Sequence, residues 1–122
     1  MSSSFLILGA VFAFLAVAFG AFGAHALRSR LSDERLAVYQ TGVQYQMYHA
    51  LALLALSVII PRVADPNLGI FAGRLFVLGI FLFSGSLYVL TLSGKRSFGA
   101  ITPFGGVAFL LGWVLLVLSA LH

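Results

Sequence analysis

The sequence predicts an all-α integral membrane protein, an antiparallel bundle of four transmembrane helices, and three observations carry that prediction. Hydrophobic residues make up 61% of the 122 positions and charged residues only 8%, far below the roughly 25% charged usage of a water-soluble domain. The apolar residues come in long blocks rather than one-sided stripes, so the solvent around most of the chain is lipid. Four such blocks occur, and short connections between them make neighbours antiparallel. Residues 1–122 are therefore read as one four-helix membrane domain.

The first helix is expected over residues 5–27, an apolar run closed by Arg28 and Arg30 and long enough for a hydrocarbon core that takes about 20 residues. Ala24-His25-Ala26 has the small-x-small look of a signal-peptide cleavage site. The stretch before Phe5, Met-Ser-Ser-Ser, carries no Lys or Arg, and the apolar run is longer than a signal core, so the segment is read as a retained span. Ser32-Asp33-Glu34 offers a cap and first-turn acids for a second helix over 33–60 that enters the bilayer near Thr41 and ends before Pro61. Asp65-Pro66 repeats the cap-plus-proline signal for a third helix over 66–93, stopped by Gly94. Thr102-Pro103 does so again for a fourth, over 103–121.

Charge and missing residue types exclude several classes. The formal net charge is +4, but the basic residues sit singly beside apolar spans, which reads as topology control and headgroup contact rather than nucleic-acid binding. Arg28, Arg30, Arg35, Lys95 and Arg96 fall on one side and only Arg62 and Arg74 on the other. Positive residues are retained in the cytoplasm, so both termini are expected outside it. The chain has no cysteine, which removes disulfide and thiolate chemistry. No Asp or Glu falls within the apolar part of a predicted span, which argues against a proton-coupled exporter. No Ser-His-Asp set, Walker glycine loop or HExxH pair is present, so no catalytic residue, metal or cofactor is assigned.

Two features remain that could do something. Gly9, Ala13, Ala16, Gly20 and Gly23 line one face of the first helix, and Gly105, Ala108 and Gly112 form a shorter stripe on the fourth. Such faces let backbones approach closely, either as a packing seam within one subunit or as an oligomer seam between copies. The second helix crowds Gln40, Thr41, Gln44, Tyr45, Gln46, Tyr48 and His49 into its first turns. Gln40, Gln44 and Tyr48 repeat at four-residue spacing, and Tyr45 and His49 make a second ridge. Polar groups at that depth are costly without partners, so both ridges are expected to face protein or trapped water. His25, near the matching end of the first helix, is expected beside the same cavity as His49. Ser84, Ser86, Tyr88 and Thr91 on the third helix, together with Thr102, complete a candidate hydrogen-bonded interior.

The blocks Gly20-Ala-Phe-Gly-Ala-His-Ala-Leu27, Tyr39-Gln-Thr-Gly-Val-Gln-Tyr-Gln-Met-Tyr-His-Ala-Leu-Ala-Leu53, Leu82-Phe-Ser-Gly-Ser-Leu-Tyr88 and Gly99-Ala-Ile-Thr-Pro-Phe-Gly-Gly106 resemble domain-of-unknown-function family 423, also called UPF0382. That family includes YgdD-like and YwdK-like bacterial proteins and is similar to eukaryotic transmembrane protein 256. The resemblance spans essentially the whole chain and implies a small multi-span inner-membrane protein with no established activity. It also implies that His25, Gln44, Gln46, His49, Ser84 and Thr102 fall in the family's signature segments. The leading expectation is a non-enzymatic subunit that forms a homo-oligomer or joins a larger membrane complex, its polar cluster serving as structural glue. One alternative is a small-molecule, lipid or ion binding or transport site around His25, Gln44, Gln46 and His49. A second is a bis-histidine haem or metal protein.

Overall fold

A computed structural model of the chain describes residues 2–121. Among them, four helical rods are long and apolar enough to cross a membrane: α1 (Ser3–Leu27), α2 (Asp33–Arg62), α3 (Pro66–Ser93) and α4 (Arg96–Leu121).

Local chemistry sets most of their ends. Ser32 Oγ accepts the Arg35 N–H at 3.1 Å, satisfying one of the amides a helix start leaves free. The α geometry of α2 runs Asp33–Ile59 and tightens into a 3-10 turn, Ile60–Arg62, around Pro61, which has no N–H to continue the ladder. Asp65 Oδ1 accepts from the Asn67 and Leu68 amides at 3.1 and 3.3 Å, with Pro66 in the first position of α3. Gly94, at φ +74°, ends α3 in the left-handed geometry that costs glycine least.

Thr102 departs from its expected role. A 3-10 turn, Arg96–Ala100, leads into α4, whose α geometry begins at Thr102 itself. The Thr102 hydroxyl lies 2.6 Å from Ser86 Oγ and 3.4 Å from the Phe98 carbonyl, so it bridges α4 to α3 instead of capping its own helix.

Two rods contain a wider π turn, Gly23–Leu27 at the end of α1 and Ile80–Gly85 in the middle of α3. Each widens the helical ladder from i→i−4 to i→i−5 and changes which side chains share a face. Both turns lie within the helical spans expected from the sequence, which carried no sign of the wider geometry.

The chain pairs α1 with α2 and α3 with α4, and α2 also packs along α3, so α2 and α3 form the middle of the bundle. Leu53, Leu56 and Phe76 are buried at their junction, joined by Phe5 and Phe12 from α1 and Phe109 from α4. The two small-residue stripes make these pairings close. A Cβ on Gly9 would stand 2.8 Å from the Ala50 carbonyl oxygen, one on Gly23 2.6 Å from the Tyr39 ring, and one on Gly112 2.6 Å from the Phe76 ring. A Cβ on Gly105 would stand 2.3 Å from the backbone nitrogen of Phe83. Ala16 and Ala108 are buried in the same seams, Ala13 is half-buried, and Gly20 faces Val43. In lipid, where apolar surface gains little by leaving the solvent, such close dispersion contact is a main source of helix association.

Candidate functional site

The polar residues of α2 divide into two sets with opposite surroundings. The inward set is Tyr39, Gln46 and His49. Gln46 is 2% exposed, and its amide spans three helices. Nε2 donates to the Phe12 carbonyl of α1 at 2.8 Å, and Oε1 accepts from the Tyr88 hydroxyl of α3 at 2.6 Å. Tyr39 donates to the Phe19 carbonyl at 2.7 Å, and its ring lies 5.4 Å from that of Tyr88. Ser84 is brought to α2 by the wide turn of α3 and donates to the Gly42 carbonyl at 2.6 Å. Each bond places a side chain on the backbone or side chain of a neighbouring helix, so the network fixes register and depth together.

His49 has both ring nitrogens occupied. Nδ1 lies 2.7 Å from the Tyr45 carbonyl, which can only accept, and Nε2 lies 3.1 Å from Trp113 Nε1, which can only donate. Those partners select the neutral tautomer with the proton on Nδ1. The ring also stacks on Phe109 at 3.6 Å and 7°. A ligand atom would have to displace Trp113 to reach it. A cleft of about 410 Å³ opens between α2 and α4 beside this group, lined largely by Tyr45, Phe83, Phe109, Leu110 and Trp113. It presents ring faces and aliphatic carbon, a lining suited to an acyl chain and poor in groups that would orient a polar solute.

The outward set is Gln40, Gln44, Tyr45 and Tyr48, all exposed on the bundle surface, Tyr48 at 55% and Tyr45 at 39%. Gln40, Gln44 and Tyr48 continue through Leu51, Ala55 and Val58 as one outer stripe of α2. Of the two ridges expected to face protein or trapped water, the first lies on the surface of the single bundle and the second divides, Tyr45 outward and His49 inward. The helix packs along α1 and α3 and meets α4 through His49 against Phe109 and Trp113, and 100° per residue carries the exposed stripe away from these neighbours. Thr41 is half-buried and bonds its own helix at the Ala37 carbonyl.

His25 is exposed and distant from His49. Ala50 lies level with Gly9, and the run from Gly9 to His25 at 1.5 Å per residue separates the two histidines by roughly 20 Å along the bundle. Antiparallel packing brings back to the start of α2 the end of α1 that holds His25, whereas His49 lies near the middle of its helix. His25 and His49 therefore do not form a paired-histidine site. Among the described residues, no three His, Asp or Glu side chains come together as a metal-binding group. Sequence reasoning passed over Tyr39 and Trp113 as members of the network. The available signal was chemical, since a buried phenol or indole N–H in an apolar span needs an acceptor.

Residues 19–106 match the family model described as "Protein of unknown function (DUF423)". The chain belongs to this family. Relatives named UPF0382 membrane protein run through almost the full length of the chain, as expected for a DUF423 member. YwdK of Bacillus subtilis (strain 168) is 48% identical over 116 residues, covering 95% of this chain and 94% of its own. A Staphylococcus aureus (strain bovine RF122 / ET3-1) protein is 48% identical, covering 94% and 93%, and one from Staphylococcus saprophyticus is 50% identical, covering 94% of both. No solved structure matches significantly. With four apolar spans and relatives so named, the chain is a multi-pass membrane protein. The DUF423 match includes Gln46, His49, Ser84 and Tyr88, while Phe12 and Trp113, which bond two of them, lie outside it.

Proposed function

We propose that this DUF423 protein is a non-enzymatic membrane subunit that works by self-association, with the outer face of α2 as the contact between two copies. The observation that carries this reading is the stripe of Gln40, Gln44 and Tyr48 on the bundle surface. Gln44 lies eleven residues past Asp33, about 16 Å along the helix, where a carboxamide facing hydrocarbon leaves donors and an acceptor unpaired. A carboxamide complements itself, so a two-fold axis beside α2 lets Gln40 and Gln44 pair with their copies, and such bonds drive helix association in lipid. The small-residue seams are spent inside the chain, and the interior polar groups described above are bonded to backbone carbonyls or to one another. Neither is left to bind a solute or a partner. The basic loops add the proposal that both termini lie outside the cytoplasm of a bacterial inner membrane.

Because the chain has no cysteine, a single Gln44→Cys is a unique probe. Oxidation in native membranes is expected to give a disulfide-linked dimer from Gln44→Cys. None is expected from Phe14→Cys or Leu110→Cys on the outer faces of α1 and α4, which are 72% and 68% exposed. Gln44→Leu is expected to lower the dimer fraction in nanodiscs about fivefold or more. Monomers only, or equal cross-linking at all three positions, would sink the reading.

A further inference from the structure

The basic end of the bundle contains a second cleft, of about 570 Å³, between the start of α2 and the end of α3. Its composition is graded with depth. Ser32, Arg35 and Arg96 form the outer rim, and Val38 and Leu90, each about a turn further into its helix, form the wall toward the bilayer. Arg35 is held in place, because its guanidinium donates to the Thr91 carbonyl at the end of α3. A guanidinium carries five N–H donors, so one bond to Thr91 anchors it and leaves further donors for a ligand. Ser32 Oγ accepts the Arg35 amide, which leaves the hydroxyl proton to donate. Gly94, in its left-handed turn, reverses the chain so that Arg96 returns over the same cleft. Glu34 also borders it. Two arginines against one carboxylate leave the cleft positive, with Arg28, Arg30 and Lys95 on the same side of the bundle.

We propose that this cleft binds the phosphodiester headgroup of an anionic membrane lipid, with Arg35 and Arg96 on the phosphate and Val38 and Leu90 against the upper acyl chain. Planar guanidinium groups suit phosphate oxygens, and the apolar wall is what separates a lipid from a free anion. The cleft is complete within one chain, so the proposal stands apart from self-association.

The test is native mass spectrometry of the intact chain released from dodecyl maltoside, with phosphatidylglycerol, phosphatidylcholine or inorganic phosphate added. One phosphatidylglycerol per chain is expected to survive activation that strips phosphatidylcholine. Arg96→Gln, on an exposed turn, and Arg35→Gln are each expected to weaken retention about fivefold. Val38→Trp, which fills the wall without touching charge, is expected to do the same, and the double variant Arg28→Gln/Arg30→Gln to leave retention unchanged. Equal retention of phosphatidylcholine would overturn the proposal. So would loss in the Arg28/Arg30 variant as large as in Arg96→Gln, which would mean diffuse attraction to the basic end. Displacement of the lipid by inorganic phosphate would assign the cleft to a free anion and overturn the lipid.

Discussion

Gln46 and Gln44 are two residues apart in one helix and have opposite roles. Gln46 holds α1 and α3 to α2 through the Phe12 carbonyl and the Tyr88 hydroxyl, while Gln44 faces outward. Replacing Gln46 with Leu removes both bonds and leaves the half-buried Tyr88 hydroxyl without its acceptor. A loss of about 1–3 kcal/mol is expected, read as the unfolding midpoint in mixed micelles. Adding Tyr88→Phe is expected to recover part of that loss, since no orphaned hydroxyl then remains. Additive losses would show that the two side chains do not act together. Gln44→Leu, judged on the fold of the single chain, is expected to be close to neutral. This split was only half legible in the sequence. Spacing marked two polar ridges, but 100° per residue gives relative direction and not which ridge meets a neighbour.

At the scale of elements, the close seam of α3 and α4 rests on Gly105. A methyl there would meet the backbone of Leu82 and Phe83, at 2.7 and 2.3 Å, in the wide turn of α3. Backbone cannot rotate aside as a side-chain tip can, so Gly105→Ala is expected to cost about 1–3 kcal/mol despite alanine's helix preference of ~1 kcal/mol. Gly106→Ala is the matched control. Its methyl would find only the Phe83 ring at 3.9 Å, and the same unfolding assay should show no loss. Equal tolerance of both would contradict the packing described. Caps at Ser32 and Asp65 and the stop at Gly94 were readable because each is satisfied within a few residues of chain. The wide turns were not, because a π turn is stabilised by what it reaches, here the bond from Ser84 to Gly42 and the approach of Gly105.

The whole bundle is organised around α2 and α3, with α1 and α4 on their flanks. This arrangement leaves one polar stripe of α2 outside and gathers Arg35, Arg96 and the end of α3 at the basic end. The proposed orientation predicts that a reporter active only outside the cytoplasm is active when fused at either terminus and inactive in the Lys95-Arg96 connection. The reverse pattern would invert the topology and place the lipid cleft on the other leaflet. Moving the five basic residues of the first and third connections to the second should flip the protein, since loop charge sets orientation.

Composition and hydropathy by themselves determined that this chain is a four-span membrane protein, because burial in lipid demands long apolar runs whatever the helices do next. Sequence blocks likewise placed it in its family. Which polar residues of α2 are shared between helices and which are left to the outside was decided only by tertiary structure. The α1–α2 and α3–α4 seams fix how each helix is rotated about its axis, and rotation alone separates Gln46, paired with Phe12 and Tyr88, from Gln44 on the surface. The same packing sent His25 to one end and enclosed His49 with Trp113, two residues 64 positions apart in the chain that no local rule connects.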